Sequence, residues 1–155
     1  MTSTTPAFKP AARHKARKFA MQGLYAWHIS RNPVLEIESH LRTENDMRKT
    51  DVGYLHELMV GVAKHVDGLD EFILPSLDRK LDEMDAVELA ILRIGAFELL
   101  HRMDVPFRVV INEGVELAKE FGASESHKFI NGVLDKLAKQ AREVEWNASV
   151  GQRKS

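Results

Sequence analysis

The stretch Asp85-Ala-Val-Glu-Leu-Ala-Ile-Leu-Arg-Ile-Gly-Ala-Phe-Glu-Leu-Leu100 decides the fold. Asp85 and Glu88 stand at the spacing of a capping box, with Asp in place of the preferred Ser or Thr. Behind them apolar side chains occur nearly all round a helix. A helix without a polar face belongs at the centre of a molecule, covered on every side. Asp104-Val-Pro106 breaks it, and Pro106 starts the next helix.

The neighbouring segments read as the helices that cover it. Pro10 suits a first helical turn, and Ala12, Ala16, Phe19, Ala20, Gly23, Leu24 and Trp27 form a helical stripe that Asn32-Pro33 stops. Arg13, Lys15 and Arg17 point off this stripe. A shorter helix follows from Val34, and Thr43 to Lys49 is a loop. Thr50 or Asp51 caps a third helix, which Asp67-Gly68 ends. Leu69 to Leu74 is a helical turn cut by Pro75, and a further short helix runs to Leu81. Gly122 closes the helix begun at Pro106, and Ser124 or Ser126 caps the last one, with Phe129, Ile130, Val133, Leu134 and Leu137 inward. No segment alternates with period two. The expectation is an all-α fold of about seven helices in two small bundles. Residues 1–8 are a disordered arm, 9–142 the helical domain, and the tail 143–155 frays from Trp146 onward.

Charge is segregated along the chain of 155 residues, although the net charge is only -1. Residues 1–35 carry six basic and no acidic side chains, residues 36–104 eight basic and sixteen acidic ones, and residues 105–155 eight and seven. A one-signed segment builds a local potential whose natural partner is a polyanion. Two blocks of opposite sign suggest two different partner surfaces. There is no cysteine, so thiolate chemistry is excluded. No apolar run reaches a membrane span and no secretion signal is seen, which makes the cytoplasm the expected compartment.

The seven histidines include no His-Glu-x-x-His pair, and no phosphate-binding or dinucleotide-binding glycine loop and no Gly-x-Ser-x-Gly elbow is present. No catalytic residue, metal site or cofactor is expected. What remains is a basic helix with aromatics, and the segment Ser126-His-Lys-Phe-Ile-Asn-Gly-Val-Leu-Asp-Lys-Leu137. Lys128 and His127 occupy a first helical turn, where exposed N–H groups favour anions. Gly132 in mid-helix costs about 1 kcal/mol relative to alanine, tolerable where a backbone or a nucleotide approaches closely. Helix packing and nucleic-acid approach stay equally open at this point.

Lys9-Pro-Ala-Ala-Arg-His-Lys-Ala-Arg-Lys18, Gln22-Gly-Leu-Tyr-Ala-Trp27, Leu92-Arg-Ile94, Glu98-Leu99, Asp104-Val-Pro106, Ile111-Asn-Glu113, Glu116-Leu-Ala-Lys119, Phe121-Gly122 and Ser126 to Lys136, in this order and spacing, resemble the NusB family of bacterial transcription antitermination factors. The resemblance runs from about Lys9 to Lys139. It implies two helical subdomains and no catalysis. It implies binding of boxA, a short single-stranded RNA element of nascent transcripts, especially of ribosomal RNA operons. The implied partners are NusE, which is ribosomal small-subunit protein S ten, and through the complex RNA polymerase and other Nus factors.

Carried over residue by residue, the RNA-binding candidates are Lys9, Arg13, His14, Lys15, Arg17, Lys18, Tyr25, Lys128, Phe129 and Asn131. His14 stands where the family frequently has arginine, which makes that phosphate contact weaker or pH-dependent. Tyr25 and Phe129 are candidates for base stacking and Asn131 for a base edge. Phe129 fits the apolar stripe of its helix equally well, so core and RNA-facing stay open. For NusE the resemblance points to Asp82, Glu88 and Glu125. The two ends of the chain are expected to meet in one cationic cradle, with the acidic patch opposite. Two other readings are an accessory domain of the RNA-methyltransferase type and a homodimeric helical module.

Overall fold

The computed structural model describes residues 9–154, so the expected arm 1–8 lies outside the described residues. Among these residues there are seven α-helices and no strand. The helices are α1 (Pro10–Ser30), α2 (Val34–Glu44), α3 (Val52–Ile73), α4 (Ala86–His101), α5 (Phe107–Phe121), α6 (Ser126–Ala141) and α7 (Glu143–Lys154). Single 3-10 turns at Leu74–Ser76 and Leu81–Glu83 link α3 to α4. No described helix is long and apolar enough to cross a membrane.

The apolar run places α4 where its composition demands. It packs on α1 and α3 on one side and on α5 and α6 on the other. Every residue from Leu89 to Leu99 is buried. Around it, α1, α2 and α3 form one bundle, while α5 and α6 pair closely and carry α7. Close helix approach needs missing side chains. A methyl group at Gly95 of α4 would meet Leu134 at 2.6 Å, and one at Gly114 of α5 would meet the same side chain at 2.5 Å. Leu134 is therefore a wedge seated between two glycines.

Local signals held at several ends. Asp51 caps α3, accepting from the Tyr54 N–H at 3.0 Å. Asp85 caps α4, accepting from the N–H groups of Val87 (2.8 Å) and Glu88 (3.1 Å). Four expectations need correction. Asp67-Gly68 does not end α3: the helix kinks at His65 and continues to Ile73, because Leu69 and Ile73 are buried and hold the extra turns against the core. The short helix expected up to Leu81 is only a 3-10 turn, at Leu81–Glu83. Neither Ser124 nor Ser126 caps α6, whose N-cap is Glu125 without a side-chain bond. Ser126 is buried and donates instead to Glu88 Oε2 at 2.7 Å.

The tail does not fray from Trp146. It forms α7, and the Trp146 ring lies 5.3 Å from that of Phe107. Glu145 accepts from the Phe107 N–H at 3.1 Å, capping α5 from outside. Arg142, just before α7, is buried and donates to the carbonyls of Glu98, Leu99, Arg102 and Val105. One guanidinium thus ties together four carbonyls at and just beyond the end of α4.

Candidate nucleic-acid interface

The outer face of α1 carries His14, Lys18 and Tyr25, which fall on one side of a helix at 100° per residue. Tyr25 is 41% exposed. Lys9 and Lys15 are also exposed. Lys18 reaches the end of α5: its ammonium is 3.3 Å from Glu120 and 5.8 Å from the centre of the Phe121 ring. The chain then turns so tightly at Gly122 that an added methyl group would meet Ser126 at 2.7 Å. The start of α6, with Lys128 and Phe129, follows at once. Lys18 thus ties the α1 face to the end of α5, and the link from there to α6 is the turn of the chain itself.

Arg17 is not on this face, and its assignment to an RNA surface is corrected. It is 2% exposed, because its guanidinium is the counter-charge of Glu98, itself 1% exposed in the apolar centre of α4. Arg17 Nε donates to Glu98 Oε2 at 2.9 Å, and Nη1 donates to Glu113 at 2.8 Å. Tyr54 donates its hydroxyl to the same Glu98 oxygen. Burial, and next the Glu98 carboxylate, pushes the Tyr54 hydroxyl well above its ordinary pKa, so it stays a donor. Arg13 sits over this cluster, 4.3 Å above the Tyr54 ring and within 3.9 Å of Asp51 and Asp104. A hydrogen bond from Arg102 is the main reason the Asp104 carboxyl is held below its usual range.

His14 is 3.1 Å from Glu113, the carboxylate that also holds Arg17. The first contact of the surface thus shares an oxygen pair with the interior. On α6, Lys128 is exposed and pairs with Glu125 at 2.9 Å. Phe129 is half-buried against the core, and the Arg79 guanidinium lies 4.8 Å over its ring. Asn131 does not join it. It lies about 200° round the helix, in a cleft of about 300 Å³ with Asn112, Asp135 and Trp146. Gly132 is exposed, with nothing within 4 Å of the place a methyl would take, so neither backbone nor side chain approaches it.

Asp82 is exposed in the turn before α4. Glu88 accepts from Ser126 and Glu125 pairs with Lys128, so both lie at the very corner that carries Lys128 and Phe129. The expected separation of a cationic cradle from an acidic patch is therefore overturned at this end. Arg13, His14, Lys18 and Lys128 each meet a carboxylate. Sequence reasoning missed Arg79, for which the sequence carries no signal. It also missed Glu113 and Glu98, although a lone carboxylate in an apolar helix announces a buried partner.

An all-α fold whose exposed groups are rings and ion-paired cations belongs to the class of helical binding modules. The comparisons then narrow it. The NusB family model matches residues 14–139. The transcription antitermination protein NusB of Acinetobacter baylyi is 55% identical over 135 residues, covering 87% of this chain and 91% of that protein. That of Idiomarina loihiensis is 56% identical over 128 residues, covering 83% and 92%. Among solved structures, T. maritima NusB superposes with a TM-score of 0.77 at 26% identity, covering 87% of this chain and 96% of that one. A structure of the antitermination factors NusB and NusE in complex with dsRNA superposes with a TM-score of 0.75 at 28% identity, covering 82% and 96%. The chain belongs to the NusB family, whose members are non-catalytic transcription antitermination proteins.

Proposed function

We propose that this chain is a cytoplasmic antitermination factor that binds the single-stranded boxA element of nascent ribosomal RNA transcripts together with NusE. Through that complex it joins RNA polymerase and other Nus factors. The observation that supports the reading is the contact of Lys18 on α1 with Glu120 and Phe121 at the end of α5, from which the chain turns into the start of α6. The α1 face offers Lys18 and the exposed Tyr25, and the start of α6 offers Lys128 and the half-buried Phe129. Single-stranded RNA is bound by that combination, stacking on rings within a cationic track. The carboxylates of Glu88 and Glu125 beside the start of α6, with the exposed Asp82 in the turn before α4, suit a basic ribosomal protein docking beside the RNA.

The test is a titration of boxA RNA, single-stranded and as a duplex, with and without NusE at 50 and 200 mM salt. Affinity for the single strand is expected to fall roughly tenfold or more across that range, since each phosphate contact releases counterions. NusE is expected to tighten binding. Lys15→Ala weakens boxA and scrambled RNA alike, whereas Phe129→Ala erodes the difference between them. Salt-independent binding, no gain from NusE, or a preference for duplex would each remove the reading.

A further inference from the structure

Arg79 sits in the exposed link between the two 3-10 turns that precede α4. Its Nε donates to Asp78 Oδ1 at 2.9 Å. That bond occupies one edge of the guanidinium, and Glu88 and Glu83 act on it only through space, without a hydrogen bond to Nη1 or Nη2 among the described residues. The flat of the same group lies 4.8 Å over the Phe129 ring. Phe129 is partly buried against the core, and Arg79 covers its ring.

Two facts make this cover exchangeable. A guanidinium on a half-buried ring near the surface is a weak contact, and a nucleobase offers the same ring a larger planar partner. An arginine plane also stacks on a base as readily as on phenylalanine. Arg79 can therefore leave Phe129 without losing a stacking partner, provided that a base takes the place between them. Its outward N–H groups then point toward the phosphate of the same nucleotide. We infer that Arg79 and Phe129 form a two-sided clamp for one base of a single-stranded RNA, closed on itself in the free protein. This rests on the RNA reading above and gives that reading a specificity position: the clamp requires one unpaired base and excludes a duplex.

The experiment uses the full chain and fluorescently labelled single-stranded boxA RNA. A series of strands carries a single abasic position, moved one nucleotide at a time. Arg79→Lys is the informative variant, because it keeps the charge and loses the plane. Wild type is expected to lose about tenfold in affinity at one abasic position and much less elsewhere. Arg79→Lys is expected to bind intact RNA about fivefold more weakly than wild type, with an unchanged salt slope and a reduced penalty at that same abasic position. Its urea midpoint stays that of wild type, which separates the clamp from a folding role. Wild-type affinity in Arg79→Lys with the full abasic penalty would make Arg79 a point charge and overturn the clamp alone. No binding of any strand by wild type would remove the RNA reading, and the clamp with it.

Discussion

Glu98 accepts from Arg17 and Tyr54 at the centre of the molecule, and neither charge has water to fall back on. Removing one member of such a pair leaves the other ionised in a medium that cannot solvate it. Arg17→Ala is therefore expected to destabilise the fold by about 3–5 kcal/mol, read as a shift of the urea midpoint. Its RNA affinity should fall only as far as the folded fraction does. A stable Arg17→Ala protein that had lost RNA binding would return Arg17 to the surface role the sequence suggested. Spacing on α1 put Arg17 with Arg13 and Lys15 because all three avoid the apolar stripe. What separated them is a carboxylate 81 positions away, which no periodicity within one helix contains. The same limit hid the Arg79 contact, which joins positions 79 and 129 of the chain.

At the level of elements, the helices were legible wherever their boundaries carry local chemistry: Asp51, Asp85 and Pro106 each sit where a helix begins. Boundaries decided by burial were not. Gly68 looks like a stop, but Leu69 and Ile73 have a core to enter. The tail is expected to fray from its own sequence, yet Arg142, Glu145 and Trp146 bind the end of α4 and the start of α5. Glycines show the same division. Gly95 and Gly114 make room for Leu134, while Gly132 makes room for nothing. Gly132→Ala is therefore expected to raise stability by about 0.5–1 kcal/mol through helix propensity, with RNA affinity unchanged. A loss of affinity in that variant would show that a ligand comes close to α6 there.

For the whole molecule, protonation is the accessible lever. His28 contacts the Arg93 guanidinium at 3.3 Å, and its pKa is lowered from 6.5, first by burial and then by Arg93 and Arg31. His101, stacked 4.4 Å from His65, is lowered by burial and then by that neighbour. A lowered histidine pKa means that the unfolded chain takes up the proton more readily. The stabilising contribution is therefore present above about pH 6.5 and lost as pH falls below it. The stability of wild type relative to His28→Gln is expected to decline between pH 7.5 and 5.5, measured by urea unfolding at each pH. A difference that stays flat or grows on acidification would contradict the assignment. The all-α architecture and the central place of α4 could be read from the sequence because composition alone forces them. The position of the acidic candidates beside Lys128 could not, since it depends on how the α5–α6 corner folds back onto α4.

Each pairing of Lys18 with Glu120, His14 with Glu113 and Lys128 with Glu125 is an internal competitor for any incoming phosphate. At these three positions a polyanion gains little, because each new contact there first breaks an old one. A transcript that brings bases for the rings has a surplus that the competition does not cancel. On the RNA reading proposed above, these three pairs act as a filter against polyanions that bring charge alone.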